Sequence, residues 1–120
     1  GHECAPAMTL DDYFATGPAW ERPIFEAVMA SLADVGPIHV EPVSVGIFLK
    51  RARTFAQLRP MTKWQTLSFS LGREVRHARI TRKVSPHNGR YLHVVRLDGT
   101  EDLDDAIIGH LEEAYALTPE

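Results

Sequence analysis

A two-layer α+β fold, with an antiparallel meander of about five or six strands between an N-terminal and a C-terminal helix, follows from three features of the chain. The hydrophobic period is 3.6 before Gly36, changes to 2 from Ile38 to Leu97, and lengthens again after Thr100. The period-2 segments are short and joined by brief connectors, which suits hairpins rather than βαβ units. Charge follows the same division. Twelve of the thirteen Lys and Arg lie between Pro42 and Leu97 with one acid, Glu74, so this stretch carries +11. Residues 1–41 carry −6 and residues 98–120 carry −8, and the net −3 conceals the separation.

Thr9 can cap a short helical turn over Leu10 to Phe14, with Asp11 and Asp12 placed to complement the helix dipole. Ala15-Thr16-Gly17-Pro18 breaks it. A second helix is expected from about Pro18 to Val35, because Trp20, Ile24, Phe25, Val28, Leu32 and Val35 recur at helical spacing and Gly36-Pro37 ends the run. Pro23 falls early enough in it to be tolerated.

Ile38 and Val40 then alternate with His39 and Glu41. Val43, Val45, Ile47 and Leu49 form one apolar face opposite Ser44, Gly46, Phe48 and Lys50. Arg51-Ala52-Arg53 reads as a turn and Thr54 to Arg59 as a strand before Pro60. Leu67, Phe69 and Leu71 alternate with Thr66, Ser68 and Ser70. Ala78–Val84 is expected to supply a short, ragged strand, Pro86-His87-Asn88-Gly89 a turn, and Arg90–Leu97 the last strand. Thr100 can cap a final helix through about Leu117, with Asp102, Asp104 and Asp105 near its positive end. Residues 9–117 thus form one domain, two layers thick, behind a tail of residues 1–8.

Composition narrows the function classes. An apolar fraction of 44% with 24% charged residues is that of a folded domain rather than a disordered chain. No apolar run approaches the roughly 18–20 residues that span a bilayer, so no membrane partner is expected, and no signal peptide is read at the start. The single cysteine, Cys4, excludes an intrachain disulfide and fits a reducing cytoplasm. There is no phosphate loop, dinucleotide fingerprint or nucleophile elbow. Cofactor, metal site and catalytic residues are therefore expected to be none. His2 and Cys4 alone cannot close a tetrahedral zinc site, and Asp104-Asp105 reads as helix N-terminal charge rather than a carboxylate dyad.

Parity along the strands sets the candidate site. With Val43/Val45/Ile47/Leu49 and Leu67/Phe69/Leu71 turned to the helices, the other face shows Ser44, Phe48, Lys50, Trp64, Thr66, Ser68 and Ser70. The strand from Thr54 adds either Arg53, Phe55, Gln57 and Arg59 or Ala56 and Leu58, and an Arg-flanked aromatic such as Phe55 fits the outer surface better. Aromatics offer stacking area and arginines bidentate phosphate contacts. The residues expected to bind an anionic partner, nucleic acid above all, are Lys50, Arg51, Arg53, Phe55, Arg59, Lys63 and Trp64, clustered around two adjacent turns. Arg79, Arg82 and Arg90 would extend them. Two other readings stand beside this one. The basic sheet can be neutralised by the acidic helical regions, and the aromatic side can form a protein-interaction or homodimer surface. A small-ligand enzyme would need His93 or His87 in a pocket, and His93, alternating with Tyr91 and Val95, points at the helices as a structural residue does.

The order of features resembles a known family. Leu10-Asp11-Asp12-Tyr13-Phe14 precedes a Gly-Pro break, and a helix ends at Val35-Gly36-Pro37. Ile47-Phe48-Leu49-Lys50-Arg51, Thr54-Phe55-Ala56-Gln57-Leu58-Arg59-Pro60 and Tyr91-Leu92-His93-Val94-Val95-Arg96-Leu97 follow, and an acidic helix closes on Leu111-Glu112-Glu113-Ala114-Tyr115. Over about residues 9–117 this resembles the bacterial domain-of-unknown-function family numbered 5655. The resemblance implies an uncharacterised α+β domain and brings no active site. Some relatives place a Cys-x-x-Cys pair and a His-x-Cys pair before the domain, as a small zinc-binding segment. His2-Glu3-Cys4 matches the second pair and the first is absent, so the tail reads as the remnant of such a segment or of a tag, and zinc binding by this chain is not expected.

Overall fold

The computed structural model describes residues 8–118. Helix α1 (Leu10–Thr16) and helix α2 (Glu21–Ser31) precede β1 (His39–Val43), β2 (Gly46–Lys50), β3 (Thr54–Pro60), β4 (Gln65–Leu71), β5 (Ser85–His87) and β6 (Arg90–Leu97). A 3-10 turn (Thr100–Asp102) and α3 (Asp105–Ala116) complete the chain. The strands form one antiparallel sheet in the order β1-β2-β3-β4-β6-β5. The fold is α+β, as the periods require.

Thr9 caps α1 in a reciprocal box: its hydroxyl accepts the Asp12 amide at 3.0 Å and the Asp12 carboxylate accepts the Thr9 amide. Helix α2 is shorter than its apolar pattern, because Pro18 to Trp20 form a turn before it and Leu32 to Val35 a turn after it. Pro23 sits in its first turn, where no amide is needed. Gly36, at φ 131°, then redirects the chain into β1.

The structure differs from the expected one in five places, each with a local cause. Val43 and Val45 are not on one strand: Ser44-Val45 is the two-residue turn of the β1–β2 hairpin, with Val43 opposite Gly46, and Val45 is 49% exposed. Phe55 is buried, not outward. Leu49 pairs with Ala56 but Lys50 with Thr54, so Phe55 is the extra residue of a bulge. Its ring meets Tyr115 edge-on at 5.3 Å. Ala78–Val84 forms only a bridge, Ile80 to Val95, while Ser85-Pro86-His87 is the edge strand, where a proline is tolerated. The turn narrows to Asn88-Gly89, both at positive φ, as a type I′ hairpin turn requires. Finally, α3 is capped by Asp104 rather than Thr100, the Asp104 carboxylate accepting the Ile107 amide at 2.9 Å.

One core joins the layers. Ile47, Leu49, Ala56, Leu58, Leu67, Phe69, Leu71, Val95 and Leu97 face Tyr13, Ile24, Phe25, Val28, Leu32, Ile107, Leu111, Ala114 and Tyr115. Helix α3 packs on β3 and β4, α1 on β1, and α2 beside the 3-10 turn. Alternation leaves the other side of the sheet without a helix among the described residues.

Candidate anion-binding surface

The helix-free face is defined by register. Glu41, Phe48, Gln57, Ser68 and Val94 stand opposite one another across five strands, and all are half-buried. One step toward the β3–β4 turn, Arg59, Thr66 and Arg96 form the next same-face row. One step the other way, Ser70, Leu92 and Ser85 align.

The Arg59 row is the basic end. Arg96 lies over the Trp64 indole at 4.2 Å and donates to Asp98 through Nε and Nη2, at 3.1 and 2.9 Å. This hydrogen-bonded guanidinium holds the Asp98 carboxyl below the usual carboxylate range, with Arg79 adding to the effect. Arg59 and Lys63 are exposed and in no ion pair among the described residues. The strand of Arg59 lies two sheet spacings from that of Arg96, about 10 Å, and Lys63 stands in the turn that follows it. Thr66 is buried between the two arginines and donates its hydroxyl to the Arg59 carbonyl at 2.9 Å.

The other expected residues separate into two kinds. Lys50 pairs with Glu41 at 3.6 Å. Arg79 is occupied by Asp98 and Asp102 at 2.8 and 2.6 Å. Arg51 stacks on Tyr115 at 4.1 Å and donates to its carbonyl at 3.1 Å, while Arg90 donates to the Leu117 carbonyl at 2.6 Å. These two arginines hold the negative end of α3. Arg73, outside the expected set, pairs with Glu113 and keeps that carboxyl low. Arg53 and Arg82 are exposed with no carboxylate partner among the described residues. Internal neutralisation thus takes part of the basic set, and Phe55 leaves it for the core.

Consecutive hairpin turns lie at opposite ends of a sheet, so the seven residues around the two turns do not form one cluster. Arg53 stands at the end where the Asn88-Gly89 hairpin turn lies, and Arg59, Lys63 and Trp64 stand at the other, about 17 Å away over five residues of β3. Around Arg53 the face deepens into a cleft that sequence reasoning missed, lined by Arg53, Thr54, Ser70, Ser85, His87 and Arg90 among others. The turn signal at Pro86 to Gly89 marked the hairpin; nothing in the sequence pointed to its packing beside the Arg53 turn.

His93 is closed to chemistry. It is fully buried, its Nε2 accepts the Val75 amide at 3.0 Å, its Nδ1 donates to the Tyr91 carbonyl at 3.0 Å, and it stacks on Phe69. Its lone pair and its proton are both committed to the fold. His110, on the same aromatic stack, is pushed below the usual histidine value mainly by burial. Among the described residues no group of three His, Cys, Asp or Glu is placed to hold a metal ion, and no helix is long and apolar enough to cross a membrane. His2 and Cys4 lie outside the described residues.

Neither a curated protein nor a solved structure matches the chain. A family model does, over residues 10–118, described as Domain of unknown function (DUF5655). The match takes in every element from α1 to α3, and the chain belongs to that family.

Proposed function

We propose that this domain is a non-enzymatic binding module that accepts single-stranded nucleic acid across the helix-free face of its sheet. The observation that carries the reading is the two basic ends in no ion pair among the described residues, Arg59 with Lys63 at one and Arg53 at the other, on a face whose middle is half-exposed Phe48, Gln57, Ser68 and Val94. Guanidinium and ammonium groups track a phosphate backbone, while an aromatic and small polar residues between them tolerate any base. Trp64 adds a second ring, beneath Arg96. The setting that goes with this reading is a bacterial cytoplasm, supported by the single cysteine and by the family resemblance.

Anisotropy of a labelled single-stranded oligonucleotide tests it. Affinity falls with salt with a log–log slope of about −0.7 for each phosphate contacted. Arg59→Ala and Lys63→Ala each flatten that slope by about one contact, whereas Arg79→Ala, whose guanidinium is already committed, leaves it unchanged. A flat salt dependence, or no binding at low salt, sinks the proposal. Half-exposed Phe48 and Val94 also suit a second copy of the chain, and sedimentation showing a dimer that Trp64→Ala dissociates would favour that reading instead.

A further inference from the structure

The Arg53 end of the open face continues into a cleft of about 870 Å³, the size of ordinary small-ligand sites. Three segments distant in sequence wall it: the β2–β3 turn, the β5–β6 hairpin and Thr118 behind α3. Its floor is the cross-strand row of Ser70, Leu92 and Ser85.

Two chemistries meet there. Arg90 is fixed before any ligand arrives, since Nη2 donates to the Leu117 carbonyl at 2.6 Å and Nη1 reaches the Thr118 hydroxyl at 3.4 Å. A guanidinium has five N–H donors, so others remain to serve a ligand. Arg53 is exposed and in no ion pair, and no carboxylate lines the cleft among the described residues. The hydroxyl-bearing residues Thr54, Ser70 and Ser85 line the same cleft. Beside them lies an apolar shelf, Leu92, 39% exposed, with Pro86. An inorganic anion would leave that shelf wet, and an apolar molecule would desolvate two guanidiniums without return. A flat ring that carries a phosphate satisfies both.

The geometry points to this cleft as a site for a nucleotide's terminal phosphate monoester, with Arg53 and Arg90 on the phosphate and the sugar and base over Leu92 and Pro86. The ligand is either the phosphorylated end of a single strand or a free mononucleotide. The strand-end source rests on the nucleic-acid reading above; the free nucleotide does not. A monoester offers more negative charge than an internal diester and three unesterified oxygens, which suits two arginine forks rather than one.

Calorimetry and anisotropy on the full chain separate the sources. The probes are adenosine and cytidine 5′-monophosphates, their nucleosides, and one oligonucleotide bearing a 5′-phosphate, a 3′-phosphate or neither. Each monophosphate should bind at least tenfold tighter than its nucleoside, or a phosphorylated strand at least fivefold tighter than the unphosphorylated one. Arg53→Ala, at an exposed position, should abolish that preference, and Leu92→Ser should weaken nucleotide but not inorganic phosphate. If monophosphates bind and no oligonucleotide does, the cleft serves free nucleotides and the strand reading fails. If strands bind without preference for a terminal phosphate and monophosphates bind no better than nucleosides, the cleft is overturned while the open face stands. A preference that survives Arg53→Ala also overturns it.

Discussion

His77 Nε2 lies 2.7 Å from Oδ2 of Asp104, whose Oδ1 accepts the Ile107 amide at 2.9 Å. Because His77 Nδ1 accepts the Arg79 amide at 2.9 Å, Nε2 is the donor to the carboxylate. One aspartate therefore caps α3 and fastens to it the loop between β4 and β5. Asp104→Ala is expected to destabilise the domain by about 1–2 kcal/mol in urea unfolding. Asp104→Ser keeps the cap, loses the histidine contact, and recovers most of that loss. The Ile107 amide first, and His77 second, hold the Asp104 carboxyl below its ordinary 3.8. A depressed carboxyl stabilises above its unfolded value and loses that contribution as pH falls through the folded one. The parent should thus lose more stability than Asp104→Ser as pH is lowered below about 4.

Glu21 carries the opposite sign. It is 2% exposed, and burial raises its carboxyl above the ordinary 4.5 against the lowering effect of the Tyr13 hydroxyl that donates to it. The same burial, with Glu21 next to it, drives the Tyr13 phenol upward. A carboxyl raised by folding contributes fully below its unfolded value, and stability falls as pH rises from 4.5 through the folded value. Glu21→Gln retains an acceptor for Tyr13 without a buried charge, so it should unfold at a higher temperature than the parent at pH 7 and show a flatter pH profile above 4.5. Tyr13→Phe leaves the carboxyl without its donor and should cost about 1–3 kcal/mol at neutral pH. A parent profile that rises between pH 5 and 7 would contradict this assignment.

Arg51 separates structural from binding arginines. Its guanidinium stacks on the Tyr115 ring and donates to the Tyr115 carbonyl at the end of α3. Arg51→Lys keeps the charge but not the planar fork, and should cost about 1 kcal/mol while leaving oligonucleotide affinity and its salt slope unchanged. Equal losses of affinity in Arg51→Lys and Arg59→Ala would return Arg51 to the binding surface.

The periods of apolar residues were enough to read the layers, because burial on one face acts on every second or every third and fourth residue. Phe55 shows where that reading ends. A bulge adds one residue to a strand, and parity beyond it inverts, which alternation alone cannot reveal. Asp104 shows another limit: Thr100 and Asp104 both suit a cap, and the choice follows from where the His77 loop and the Arg79 partners lie. Charge segregation placed twelve of the thirteen Lys and Arg in the stretch that forms the sheet and its connections. Several of the pairings depended on partners distant in sequence, such as Asp98 for Arg79, 19 residues on, and Glu113 for Arg73, 40 residues on. The cleft joins three such distant segments, so its two turns were legible beforehand and their meeting was not.

That hairpin turn gives the last prediction. Asn88 and Gly89 hold φ of 50° and 76°, and the three-residue β5 pairs with β6 directly across them. A side chain at Gly89 meets no atom within 4 Å, so Gly89→Ala is opposed by backbone strain alone, about 1–2 kcal/mol. So short an edge strand has little else to resist fraying. Amide exchange across residues 85–92 should rise in Gly89→Ala, and affinity for adenosine 5′-monophosphate should fall severalfold although no ligand-facing group is removed. Asn88→Gly relieves rather than adds strain and should leave both near the parent values. If exchange rises and nucleotide affinity does not change, the hairpin is not a wall of the binding cleft.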